Sequence, residues 1–189
     1  IGLILGIESG YARGSSLDRG LVAGLMFLGG FPDFFIGILL LLVFAVSLQV
    51  LPISGATSPY AGHEGLAHIL DVFKHLALPL ASMILVQLGG IFLLARNTIV
   101  TLLAESFILT ARAKGCSERL IKYAHAGRNC LLPVTTATGL RIPQLLIGAL
   151  FIEIVFSYPG VGSLLNTAID ARDYPLIQGI LLVVTLTVL

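Results

Sequence analysis

Leu76–Leu94 contains no charged residue, and a run of that kind restricts the chain more than any motif in it. A helix needs about 20 apolar residues to cross the hydrocarbon core of a bilayer. Read by that rule, the chain contains five apolar segments: 1–8 (partial), 21–50 (broken near Pro32-Asp33), 76–98, 134–156 and 175–189 (partial). Composition agrees: 57% of residues are hydrophobic and 11% are charged, against about a quarter charged in a soluble domain. The expected fold is an all-α, polytopic transmembrane bundle, forming one domain over 1–189. The chain begins without Met or a basic leader and ends inside the apolar run Gly179–Leu189, so it is expected to be a fragment cut at both ends.

Charge in the connecting loops orients the spans. Loop 9–20 carries Arg13 and Arg19, and loop 104–130 carries Arg112, Lys114, Arg119, Lys122 and Arg128, with Arg96 close by. The alternate loops are poorer, with Lys74 in 52–75 and Arg172 in 157–174. The positive-inside rule makes 9–20 and 104–130 cytoplasmic, and 52–75 and 157–174 extracytoplasmic. Cys116 and Cys130 both fall on the cytosolic side and are expected to be free thiols.

Glu105–Pro133 is the one long polar interruption, and its pattern predicts two short helices. Glu105–Lys114 ends in cations that suit the negative end of a helix dipole. Gly115 divides the stretch, Ser117 is placed to cap a second helix, and Gly127 is placed to end it. That second helix, about ten residues and 15 Å long, carries Leu120, Ile121 and Ala124 on one face, with Arg119 and Lys122 outside it. Alone in water so short a helix is marginal. Two surfaces answer the need: anionic lipid heads, or a groove on a soluble protein.

The residues themselves resemble a known family. The segments TARAKG and SERLIKYAHAGRNCLLPV are similar to the cytoplasmic EAA loop of ABC-transporter permeases. The closer likeness is to the first permease subunit of the dipeptide/oligopeptide/nickel importer family. Glu153 to Phe156 with Tyr158-Pro-Gly-Val-Gly162 resembles that family's E-x-x-F-x-x-P-G-x-G segment. Ala171-Arg-Asp-Tyr-Pro175 with Gln178-Gly179 resembles its A-R-D-Y-P-x-x-Q-G segment, and Gly30 to Phe35 its segment before a span. Leu109 stands where the wider signature has Glu, and Asp33 where the family has a small Ser.

The resemblance implies a type I importer permease in the inner membrane that alternates between outward- and inward-facing states. Its implied partners are a second homologous permease, two ATP-binding subunits, an extracytoplasmic solute-binding protein and the bilayer, with no nucleic acid. ATP and Mg would sit on the ATPase, leaving this chain without cofactor, metal or catalytic residue. Ala111, Arg112, Gly115, Ser117, Arg119, Leu120, Ile121, Ala124, His125, Asn129 and Pro133 would form the ATPase-coupling loop. The implied solutes are peptides, nickel chelates and glutathione-like compounds.

Single residues add candidates for the path or its gate: Arg141, Glu153, Pro159, Gly160 and Gly162. Arg141 is a charge well inside an apolar span, where it costs at least ~2.5 kcal/mol unless it faces protein or water. It would line the path or snorkel back to the interface. Glu153 would line an outer gate or serve as a structural hydrogen-bonding group. Gly148-Ala149 reads as a helix-packing site.

His63-Glu64-Gly-Leu-Ala-His68 has one residue too many for a zinc protease motif, because i and i+5 lie about 140° apart on a helix. His63, His68 and His75 retain only the prospect of weak metal contact. No G-x-x-x-x-G-K-[ST] segment occurs, so an energy source would lie on another chain. The alternative from another class, an ATP-independent carrier or channel, predicts an internal inverted repeat, and none is visible.

Overall fold

The computed structural model describes residues 1–58 and 65–188. Its helices are α1 (Gly2–Tyr11), α2 (Ser16–Gly29), α3 (Asp33–Leu40), α4 (Leu66–Leu102), α5 (Ser106–Ala113), α6 (Glu118–Leu120), α7 (Arg128–Val155), α8 (Val161–Asp170) and α9 (Tyr174–Val188). Two π-helical segments extend them, Leu41–Ser47 after α3 and Ile121–Gly127 between α6 and α7. No strand occurs among the described residues.

Among the described residues two helices are long and apolar enough to cross a membrane: α4, and the continuous helix Glu118–Val155. The number rises to three if the pair divided at Gly30–Pro32 counts as one span. At 37 residues α4 is about 55 Å long, so it overruns a hydrocarbon core of about 30 Å. It begins at Leu66, inside the stretch read from sequence as a loop, because Leu66, Ile69, Leu70 and Phe73 extend its apolar surface outward. The lead-in helix likewise starts at Ser16, where the Ser15 side chain accepts a hydrogen bond from the Asp18 N–H.

The described chain divides into two compact units. The first comprises Ile1–Phe31 and Leu85–Arg141. Its core is Ile7, Ala95, Ile99, Ile108, Ala111, Ile121, Ala126, Cys130 and Val134. Within it α1 lies on α4 through three glycines one turn apart. A Cβ on Gly2 would stand 3.2 Å from Ile91, on Gly6 2.6 Å from Ala95, and on Gly10 2.8 Å from the Arg96 carbonyl oxygen. Small residues at such a spacing let helix backbones approach closely in a membrane, where lipid offers no hydrophobic drive.

The second unit comprises Pro32–Ile84 and Ile142–Leu189. Its core joins Ala45 and Leu78 to Ile152 and Phe156. Gly37 makes room for the Phe156 ring and the Ile152 methyl, which a Cβ would meet at 3.2 and 3.3 Å. Gly148 does the same for the Asp33 carboxylate, 2.5 Å from an added Cβ. The residue that departs from the family's small Ser is thus matched by a glycine across the packing face.

Candidate functional site

The loop 104–130 folds into a hairpin of helices in the first unit. α5 ends on Lys114, and Gly115 turns the chain at φ +75°. The Gly115 N–H donates to the Arg112 carbonyl at 2.9 Å and the Cys116 N–H to the Ala111 carbonyl at 3.1 Å. These two bonds satisfy carbonyls at the helix end and form a Schellman motif, in which glycine meets no steric penalty. Ser117 then caps α6, accepting from the Leu120 N–H at 3.4 Å. Arg112 and Glu118 approach to 3.6 Å across the turn; both are exposed, so the pair adds little to stability.

Burial divides the loop residues into anchors and exposed groups. Ala111 and Ile121 are buried in the core with Ile108 and Ala126. Arg112, Gly115, Ser117, Arg119, Leu120, Ala124 and Asn129 are exposed, His125 and Pro133 half-buried. Ser117, Arg119, Leu120, Tyr123 and Ala124 line an open depression. The face expected from spacing is therefore corrected at one position. Ile121 is 0% exposed while Leu120 is 47% and Tyr123 45% exposed: successive helical residues stand about 100° apart, and Ile121 is the one that packs into the core. Gly127 is corrected too. It ends no helix: it is buried, with a Cβ only 3.0 Å from the Lys122 carbonyl oxygen, and the backbone continues through it into α7. Asn129 and Pro133 belong to α7, where Asn129 Nδ2 donates to the His125 carbonyl at 2.7 Å.

Two clusters hold this hairpin and its neighbours, and both escaped the sequence reading. Glu8 of α1 accepts from Lys122 Nζ on one carboxylate oxygen and from the Tyr123 hydroxyl on the other. Lys122 also lies 5.3 Å from the centre of the Tyr11 ring. Lys122 is thus bound within the chain and is no free flank. Asp18, 2% exposed, takes a fork of bonds from Arg96, Nε at 2.6 Å and Nη2 at 2.8 Å. It also accepts from Ser9 Oγ and from the Gly14 N–H at 2.9 Å. The Arg96 hydrogen bond, opposed by burial and aided by Ser9 and Gly14, holds its carboxyl well below the usual carboxylate range. The available signal was an isolated acid beside an apolar run, Glu8 and Asp18 in turn, with a cation at the end of another.

In the second unit Glu153 meets the N-terminus of α8. Its Oε2 accepts from the Gly162 N–H at 2.6 Å and the Ser163 N–H at 3.4 Å, which places a carboxylate at the positive end of a helix dipole. Gly160 leaves the space that the carboxylate occupies, and a Cβ on Gly162 would stand 2.5 Å from Leu150. Pro159 is exposed in the turn between the two helices. Glu153, Gly160 and Gly162 are therefore brought together as a helix cap.

Arg141 belongs to the first unit. Its guanidinium lies against Gly90, where any side chain would overlap it. Among the described residues no carboxylate pairs with it.

Among the described residues no His, Cys, Asp and Glu side chains converge as a metal site. His75 is buried and faces the Asp71 carbonyl at 2.8 Å, His68 is exposed on α4, and His63 and Glu64 lie outside the described residues. Cys116 and Cys130 are both free thiols.

The family model described as binding-protein-dependent transport system inner membrane component matches residues 2–189. The chain is 37% identical to the di/tripeptide transport system permease protein DppB of Pseudomonas aeruginosa, across 100% of this chain and 60% of that protein. It is 33% identical to the dipeptide transport system permease protein DppB of Escherichia coli K12, across 100% of this chain and 61% of that protein. The chain thus spans about three fifths of the length of the curated relatives it matches.

Proposed function

The chain belongs to the family of binding-protein-dependent transport inner membrane components, and from that membership we propose that it works as the permease subunit of an ATP-driven importer. The solutes are di- and oligopeptides or similar small molecules, nickel chelates included; the names of the two relatives favour peptides. A second permease, two ATP-binding subunits carrying ATP and Mg, and an extracytoplasmic binding protein complete the assembly in the inner membrane. Loops 9–20 and 104–130 face the cytoplasm. The chain carries out no covalent chemistry, and ATP binding biases two conformations through contacts that differ between them.

The observation that carries this reading is the two-sided hairpin. Ile108, Ala111, Ile121 and Ala126 fix its inner side to the core, while Arg119, Leu120, Tyr123 and Ala124 stand out of it. An exposed apolar strip with a basic rim, held on a buried anchor, suits a groove on a soluble ATPase. Arg141, Glu153, Pro159, Gly160 and Gly162 are proposed to act at the path or its gate: Arg141 as a charge facing water or solute, the others by fixing the turn that closes it.

The test is co-purification of an ATP-binding subunit with the tagged full-length protein from mild detergent. Leu120→Asp with Ala124→Asp is expected to abolish it while leaving membrane yield unchanged. An ATPase that stays bound to that double variant removes the case for this face. A wild-type protein that brings down none, yet transports without ATP, is a self-sufficient carrier.

A further inference from the structure

We infer that Glu8 is a positioning residue for energy coupling: it binds the π-helical segment Ile121–Gly127 to α1, so that a displacement of the exposed hairpin surface reaches α1 as well as α7. The inference rests on the transporter reading above. It starts from a mechanical difficulty. The covalent route from the exposed turn Ser117–Leu120 to the span α7 passes through a π-helical segment, and π-bulges are among the places where helices kink. A push on the turn would be absorbed at that joint unless the segment is held from the side.

Glu8 supplies the hold. Both its carboxylate oxygens are engaged, one by Lys122 Nζ and one by the Tyr123 hydroxyl, on consecutive residues of the π-helical segment. The Tyr11 ring, one turn further along α1, carries the Lys122 ammonium at 5.3 Å. The other side of α1 rests on α4 through Gly2, Gly6 and Gly10, and at Gly6 and Gly10 an added Cβ would meet α4 backbone at 2.7 and 2.8 Å. The hairpin therefore leans on a helix that is itself seated on a long span.

Stability is a poor explanation of the clamp. The Lys122 and Glu8 side chains are 19% and 38% exposed, and a partly solvated ion pair adds only modestly to stability. Two donors from neighbouring residues converging on one carboxylate fix a geometry instead. Leu120 and Ala124 face outward from the same turns that Lys122 and Tyr123 tie inward, so the docking surface and the clamp share one short segment.

The experiment uses the whole transporter, reconstituted with its ATPase and binding protein, and reads three quantities: ATPase retained, ATP hydrolysed, and solute moved per ATP. Glu8→Gln is expected to retain the ATPase and its hydrolysis while lowering solute moved per ATP about fivefold or more. Lys122→Glu should resemble Glu8→Gln, and the exchanged pair Glu8→Lys with Lys122→Glu should recover part of the lost ratio. A Glu8→Gln transporter with the wild-type ratio overturns the inference, as does an exchanged pair no better than either single variant. Loss of folded protein in step with all three readings would assign Glu8 a structural role only and overturn it equally. Failure of the wild-type chain to retain any ATPase is a separate result, and it removes the transporter reading together with this one.

Discussion

Gly6 and Gly20 are both helical glycines, and the same substitution should move them in opposite directions. A methyl on Gly6 meets Ala95 at 2.6 Å, whereas one on Gly20 meets nothing within 4 Å. Gly6→Ala should lower the thermal stability of the purified protein through overpacking, by about 1–3 kcal/mol. Gly20→Ala should raise it by about 0.5–1 kcal/mol through helix propensity. Denaturation midpoints in one detergent would separate them.

Asp18 belongs to the same scale. Its pKa is depressed chiefly by the Arg96 hydrogen bond, so its stabilisation is fully present above the ordinary aspartate value of about 3.9 and is lost as pH falls through the lower folded value. Stability should stay level from neutral pH to about 5 and fall only below the ordinary range. Asp18→Asn should flatten that acid limb and, by stranding Arg96, cost on the order of 3–5 kcal/mol at neutral pH. Neither residue was legible as a pair in the sequence: Asp18 and Arg96 are 78 positions apart, and nothing local marks long-range partners. Gly115 was legible, because a left-handed position is a local demand. Gly115→Pro, locked near φ −65°, should leave insertion intact and uncouple transport, read as ATP hydrolysis without uptake.

Among the elements, caps were easier to foresee than continuations. Ser117 stands where its pattern predicts, since an N-cap needs only one side chain and one N–H. The expected stop at Gly127 failed because Ile121, Ala126 and Gly127 are buried against the core, and tertiary packing carries a helix through a residue of poor propensity. Ile121 is drawn in by the same packing: it joins Ile108, Ala111 and Ala126 in the core. The E-x-x-F-x-x-P-G-x-G segment gains a physical meaning here. Phe156 is buried at 2% exposure, Glu153 caps α8, and the two glycines let carboxylate and helix meet. Glu153→Gln should weaken the cap by about 1.5–3 kcal/mol, the worth of a hydrogen bond to a charged group. Backbone amides in Val161–Asp170 should then exchange with deuterium about tenfold faster or more, while those of α5 keep the wild-type rate.

For the whole molecule, the apolar runs announced a helical membrane protein, and the family match agrees. Its division into two compact units was invisible, because each draws on distant stretches of chain. The loop orientation still calls for its own measurement. Cys116 in inside-out vesicles should react with an impermeant maleimide, and a cysteine placed by Asp170→Cys in a thiol-free background should react only from the opposite side. Labelling of both from one side would reverse the assignment of loop 157–174.

Cys130 is fully buried, its thiol donating to the Ala95 carbonyl at 3.6 Å, while Cys116 is partly open at the turn of the same hairpin. The chain thus carries its own pair of stopwatches. One thiol should react whenever reagent is present, and the other only if the packing around it opens. Under the proposed ATP coupling, the ratio of their alkylation rates through a nucleotide cycle would time any opening around Cys130 without a foreign label.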